Sequence, residues 1–354
     1  MKRSRARVHD GEGSSSVDLV SLAEYVERFS SKTVVLLGDF VADEFRFGEI
    51  SRVSREAPVL ILRHRETQMV PGGGANAANN LAALGARVTV ITAVGADSTG
   101  DALVAYFKEK RVDTSGVVRV KGWTTPTKTR FLAGWAHTVG QQVLRVDYEP
   151  GAALPEAARK KIENLVMTKL RAADAMAVSD YGFGVATPEL VRASTEKRKQ
   201  VPVTLDARYN LNGYAKSGIT AATPNEAELE ALHHTSIGQD VAELGRCGRA
   251  TRASMKLGAL LVTRGRDGMA LFEEAGNLTR IAVHGSAQAV DVTGAGDTVL
   301  AAFTLAMAAG APPLEAAHIA NIAGGLVVMK RGTATVSREE LLETIRREAA
   351  GAGS

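Results

Sequence analysis

The residues best suited to chemistry lie in AVDVTGAGDTVLAAFTLAMAAG, positions 289–310, where Asp297 follows Gly294, Ala295 and Gly296 at the start of an unbroken helical pattern. Val290 and Val292 read as the end of a strand. The three small residues let backbone N–H groups converge on one point, and the helix is expected to run to Gly310, which caps it. A helix N-terminus draws an anion, phosphate foremost. A carboxylate at that point opposes the anion, unless the ligand also brings a hydroxyl whose proton must be removed and a cation offsets the charge. Helix capping alone would explain a lone GxGD. A second glycine turn, PGGGANAANN at 71–80, argues for more than a cap.

These two turns need strands and helices to bring them together. A short helix in VSLAEYVERF precedes a strand at Thr33 to Leu37, whose continuous apolar run fits burial on both faces. From Phe45 to Val70 the pattern changes to short alternating segments, which read as hairpin strands. PGGGANAANNLAALGA is a turn and helix, RVTVITAVG a buried strand, and TGDALVAYFKEK a helix. A second alternating patch runs from Val117 to Tyr148. From Pro155 onward helices and strands alternate strictly, through DAMAVSD, PVTLDA, GITAATP, GALLVT and a hairpin at DGMALFEEAG, to helices near 314–330 and 337–348. Such β/α alternation predicts an α/β fold with a doubly wound, mostly parallel sheet flanked by helices, and ligands at the carboxyl ends of its strands. The expected organisation is a basic, disordered tail at 1–18 and one domain at 19–348, with a small β-sheet lid built from insertions at about 44–71 and 117–148.

Composition narrows the function classes. Of 354 residues, 45% are hydrophobic and 23% charged, which is ordinary for a soluble globular protein with a sizeable core. No apolar run reaches the length of a membrane span, and the N-terminus lacks a secretory apolar segment, so a cytoplasmic protein without membrane contact is expected. The single cysteine, Cys247, excludes an intrachain disulfide and a cysteine metal site. The sequence pI is about 9.1, but MKRSRARVHD carries four positive charges and one negative, which is most of the formal +4. The rest of the chain is nearly neutral, and no nucleic-acid partner is expected.

With both turns placed, residues from about 30 to 346 resemble the ribokinase (pfkB-type) family of sugar kinases. PGGGANAANN is similar to the family's N-terminal signature and DVTGAGDTVLAAF to its C-terminal one, in the right order and about 220 residues apart. Within the family, GDFVADEFRFGEISRVSREAPV, TKTRFLAG, QQVLRVDYE, SDYGFG, TPNEAELEA and GTATVS resemble the heptose 7-phosphate kinases of ADP-heptose synthesis. That resemblance implies a ribokinase-like fold, ATP and Mg²⁺, a sugar or sugar phosphate as substrate, and a homodimer formed through the lid.

The implied site follows residue by residue. Asp297 is the base for the acceptor hydroxyl, with the Gly294, Ala295 and Gly296 amides as the anion hole for the transferred phosphoryl group. An ordinary carboxylate suffices, because a loose transition state needs a positioned base more than a strong one. Asp43, with Asp39 as a second candidate, binds sugar hydroxyls opposite Gly72, Gly73 and Asn76, and Glu149 is a further hydroxyl ligand. Asn225 and Glu228 form the NxxE element that orders Mg²⁺ through water; a helix N-cap with a first-turn acid would look the same. Thr263, Gly265 and Asn321 lie where relatives bind nucleotide, and Asp291 and Thr293 resemble a monovalent-cation (K⁺) loop.

A phosphorylated substrate needs cations, and the lid supplies Arg52, Lys128, Arg130 and Arg145. The heptose kinases read SDYGKG and DPKG where this chain has SDYGFG and DARYN. Phe183 thus stands in place of one lysine, and Arg208 is positioned to replace a cation. His318, in HIAN, does not complete an HxGH nucleotidyl-transfer motif, and a stand-alone kinase is expected. A non-catalytic sensor on the same fold would have no need of Asp297, and an NAD dehydrogenase would need a GxGxxG in the first β/α unit, which is lacking.

Overall fold

The computed structural model describes residues 7–8, 17–134, 141–197, 201–274, 276–286 and 288–351. Its frame is a nine-stranded sheet. From edge to edge the strands are Leu278–Ile281, Met269–Glu273, Ala259–Thr263, Ala221–Ala222, Val203–Ala207, Ala175–Asp180, Thr33–Gly38, Arg87–Gly95 and Asp113–Val120. The first two pairings are antiparallel and all the others parallel. Helices cover both faces, so Val34 to Leu37 and Ala175 to Val178 are buried at every position, which is why these strands are unbroken apolar runs.

Two buried clusters fill the two faces. The helices Ala295–Ala308 and Pro313–Val327 are apolar almost all round. Ala295–Ala308 packs against Pro313–Val327, against Gly74–Ala83, and against the central strands. The two glycine turns therefore start neighbouring helices, and this brings residues far apart in sequence to one place. The helix ends at Ala308, with Gly310 at φ 91° just beyond it, as expected. None of the helices among the described residues is long and apolar enough to cross a membrane.

The second sheet has four strands in the order Leu60–Gly73, Phe40–Val53, Thr127–Gly134, Gln141–Tyr148. It forms the lid, and its boundary differs from the sequence expectation. Asp113–Val120 pairs in parallel with Arg87–Gly95 in the large sheet, so the second lid segment begins at Thr127 and not at Val117. At the sheet's edge this strand alternates between buried and open positions, which gives it the period of a hairpin strand. At the N-terminus Arg7–Val8 pairs with Val17–Asp18, and Asp18 caps the Leu19–Glu27 helix. The rest of the expected tail, 1–6 and 9–16, and the lid stretch 135–140 lie outside the described residues.

Candidate active site

A cavity of about 370 Å³ opens where the lid meets the carboxyl edge of the large sheet. Of the expected site residues it is lined by Asp43, Gly72, Gly73, Lys128, Arg130, Arg145, Asn225, Glu228, Thr263, Thr293, Gly294, Gly296 and Asp297. A second cavity of about 170 Å³ adjoins it across Thr263, Val292 and Gly296, and there Gly265, Ala295 and Asn321 meet apolar side chains such as Met269, Val283 and Val299. Thus one space is charged and the other chiefly apolar, with the GAG turn between them.

Asp297 sits at the third position of its helix, behind Gly294 as N-cap at φ 77°. It is 4% exposed. Its Oδ2 accepts from Asn76 Nδ2 at 2.8 Å and its Oδ1 from the Tyr181 hydroxyl at 3.3 Å. Burial pushes the carboxyl up to about 7, against the lowering effect of those two hydrogen bonds. This departs from the ordinary carboxylate expected, because the helix that carries it is buried from Asp297 onward and little water reaches the carboxyl. Asn76 is itself anchored: Asn80 Nδ2 donates to its carbonyl oxygens, and the Thr298 hydroxyl donates to Asn80 Oδ1 at 2.9 Å. Asp297 is held by a polar chain that runs back into its own helix.

The lid brings its charges in by register. Asp43 pairs with Lys128, and Lys128 with Asp147 in the next strand, while Arg130 lies opposite Arg145. Arg130 Nη1 donates to Asp43 Oδ1 at 2.6 Å in a largely buried ion pair and stacks on Phe45. Arg145 is half exposed and forks onto Asp147 at 2.7 and 2.6 Å. A side chain at Gly72 would overlap the Asp43 carboxylate, which accounts for that glycine.

Asn225 and Glu228 take up the anticipated cap and also reach the cavity. They form a reciprocal capping box, with Glu228 N–H to Asn225 Oδ1 at 2.8 Å and Asn225 N–H to Glu228 Oε2 at 3.0 Å, and both still face the cavity. Asn225 is the N-cap and lies outside the helix, so the pair does not share a helical face. Beside them Asp206 is driven well above its usual carboxylate range by desolvation, with Glu228 and Asp297 adding repulsion and Arg208 opposing it. Burial raises Glu228 as well. Among the described residues no group of three or more acids, histidines and cysteines has metal-ligand geometry.

Several expectations need correction. Asp39 does not reach the cavity: 1% exposed, it accepts N–H groups from Tyr181 and Phe183 on Oδ2 at 2.9 and 3.1 Å and from Val185 on Oδ1 at 2.9 Å. Burial, aided by nearby Asp180, pushes its carboxyl up to about 7. Asn76 is fully buried and grips Asp297, not the cavity. Glu149 and Arg52 are exposed and line neither cavity. The Ala295 N–H donates to the Val292 carbonyl at 3.2 Å and is not free for an anion. Val290 and Val292 are 52% and 66% exposed in a loop, not a strand. There the N–H groups of Val290 and Asp291 donate to Val328 O at 2.8 and 3.0 Å, a helix-end carbonyl that serves in place of a strand partner. Asp291 accepts from Thr293 N–H and Gly332 N–H, each at 2.9 Å, and so ties this loop to the next.

Tyr181, Asp206, Thr223 and Thr333 also line the large cavity and were not singled out from sequence. Each lies just after or at the end of a parallel strand, or in the loop before the last helix, so strand-end position was the available signal. Arg208 faces the cavity as anticipated, whereas Phe183 packs against the buried apolar cluster beneath it. Asn321 Nδ2 donates to Ala282 O at 2.7 Å, which fixes one wall of the apolar cavity.

A doubly wound sheet with a β lid closing over a glycine turn, a helix-borne acid and converging cations defines a small-molecule kinase. Residues 32–340 match the pfkB family of carbohydrate kinases, and the chain belongs to that family. It is 39% identical over 311 residues to the bifunctional protein HldE of Geobacter metallireducens, covering 87% of this chain and 62% of that protein. With the HldE of Hyphomonas neptunium it shares 37% over 322 residues, 90% of this chain and 65% of the relative. The chain thus spans somewhat less than two thirds of these relatives. The fold matches Arabidopsis thaliana ribokinase complexed with ribose and ATP (TM-score 0.69, 21% identity, 89% of this chain and 99% of that one). It also matches Escherichia coli phosphofructokinase-2 in complex with potassium (TM-score 0.71, 21%, 90% and 99%).

Proposed function

We propose that this carbohydrate kinase uses ATP and Mg²⁺ to phosphorylate the anomeric hydroxyl of a sugar phosphate, with heptose 7-phosphate as substrate and heptose 1,7-bisphosphate as product. The observation that carries the reading is Asp297: a buried carboxylate poised near 7, oriented through both oxygens, at a cavity whose other wall holds Lys128, Arg130 and Arg145. A base tuned to the working pH is partly protonation-competent and partly free, the condition under which proton transfer is most effective. Asp297 takes the hydroxyl proton as the sugar oxygen bonds to the terminal phosphorus and the bond to the ADP oxygen breaks. First-turn N–H groups at Gly296 and Asp297, which have no acceptor within the helix, receive the phosphoryl oxygens.

The lid cations fit a phosphate already on the sugar. Asp43, held by Arg130, fits a sugar hydroxyl, and the apolar cavity by Asn321 fits a flat nucleotide base. The oxygen donors Asp206, Asn225 and Glu228 suit Mg²⁺, and the repulsion of Asp206 by Glu228 and by Asp297 is what a divalent cation would relieve. When bound, that ion supplies charge neutralisation along the phosphate chain. Thr293 and the Asp291 loop are the candidate K⁺ site. Exposed Val53, Leu60, Val143 and Leu144 on the lid support a homodimer through that sheet.

The heptose assignment draws on the HldE relatives and on the six resembling stretches. Phe183 and Arg208 favour one alternative, a different sugar phosphate, because one of the two lysines is lost at Phe183 and the other is replaced by Arg208, whose planar fork binds a phosphate differently. An ADP-release screen of the purified chain over sugars and sugar phosphates tests this. Turnover with heptose 7-phosphate well above all others supports the reading. Preference for another sugar phosphate replaces the substrate, and nucleotide binding without turnover on any sugar overturns catalysis in favour of a sensor.

A further inference from the structure

We propose that Asp39 is the positioning residue of the base, holding in one place the two arms that grip Asp297; this rests on the reading of Asp297 given above. The first arm runs through its main chain. Asp39 O accepts the N–H of Gly74 at 2.9 Å, which starts the Gly74–Ala83 helix, and that helix carries Asn76 to Asp297 Oδ2. The second runs through its side chain. The carboxylate gathers the N–H groups of Tyr181, Phe183 and Val185, and Tyr181 reaches Asp297 Oδ1 with its hydroxyl. Asp39 N–H donates to Ser179 O at 3.0 Å, so the residue is itself fixed to the strand that leads into the 181–185 loop.

The two arms meet without slack. A Cβ on Gly73, which has φ 55°, would lie 3.2 Å from Asp39 O and 3.3 Å from the Tyr181 ring, and one on Gly74 would lie 2.9 Å from Asp39 O. Three converging backbone donors need an acceptor-only side chain, and only a carboxylate satisfies all of them. Asp180 gives the loop an independent footing, accepting from Gly182 N–H at 2.8 Å and from the Tyr214 hydroxyl at 2.7 Å. Asp39→Asn therefore keeps the main-chain arm and the Asp180 footing, and turns a donor toward at least one of the loop's N–H groups.

The test is a double-mutant cycle on kcat with Asp39→Asn and Tyr181→Phe, read beside hydrogen exchange of the 181–185 amides. Each single variant should lose about tenfold in kcat, with KM for ATP within about twofold, and the double variant should lose about the same tenfold, because both changes cut one arm. Exchange across 181–185 should quicken in Asp39→Asn whether or not substrate is present. Losses that multiply to about a hundredfold, Tyr181→Phe at wild-type kcat, or unchanged exchange in Asp39→Asn would each overturn the proposal. Should Asp39→Asn fail to fold, Tyr181→Phe decides alone. A wild-type chain without turnover on any sugar phosphate would defeat the functional reading instead, and the exchange arm would still judge the clamp.

Discussion

The two cavities on either side of the GAG turn are built differently. The larger is walled by residues of both sheets, and its charges arrive through strand register: Asp43, Lys128 and Arg130 come from the lid, Asp206 and Arg208 from the end of a central strand. The smaller is walled by the large domain alone, with Asn321, Gly324 and Gly325 from one helix facing Val283 and Ser286 from a loop. A lid can open and close over one half of the site while leaving the other unchanged. On the proposed reading, substrate choice can then vary in the lid without disturbing the apolar half, and the turn between them is where the two halves must agree.

Breaking one side should spare the other. The largest effect short of removing the base is expected from Gly72→Val, whose side chain displaces Asp43 and opens the buried pair with Arg130; sugar phosphorylation should fall by about 10² or more while nucleotide affinity holds. Measured kcat/KM for the sugar against ADP dissociation constants would show this. Next, because burial raises Asp297 to about 7 in the ligand-free chain and the proposed base acts deprotonated, kcat/KM for the sugar should fall about tenfold per pH unit below that value, and a stopped assay between pH 5 and 9 checks it. On the apolar side, Asn321→Ala should raise KM for ATP by about tenfold with sugar KM unchanged, on the scale of a lost buried hydrogen bond. The smallest effect belongs to Arg145→Ala: half exposed and already paired to Asp147, it should raise KM for the phosphorylated sugar only about threefold, and KM for ATP less, as exposed ion pairs contribute little. An equal rise in both would blur the boundary between the two halves.

The sequence told more about some parts of this site than others, and the difference has a physical origin. Parallel strands buried on both faces leave continuous apolar runs, and helices after glycine turns leave clear starts, so the large sheet and both signature turns were legible. The edge strand Asp113–Val120 was not, because half-burial gives it a hairpin's period. Asp43 and Asp39 illustrate the site's limit. The two acids are four residues apart, yet Asp43, within the lid strand Phe40–Val53, faces the cavity, and Asp39, at the junction before that strand, is closed over by the 181–185 loop from a distant part of the chain. Nothing local to Asp39 encodes those three donors. Likewise Asn76 carries the residue type of a sugar ligand, but the neighbouring helix puts Asp297 within its reach first. Asn225 and Glu228 show the reverse case, since one spacing served a capping box and a cavity wall together.

The central claim is that Asp297 takes the acceptor's proton, and Asp297→Asn tests it most directly in a single measurement of kcat with saturating ATP and sugar phosphate. The amide keeps size and can still meet Asn76 or Tyr181, but it has no basic oxygen at neutral pH. We expect kcat to drop by at least ~10² with ATP affinity close to wild type, the usual scale for a lost general base. Turnover near the wild-type rate in that variant would contradict the account.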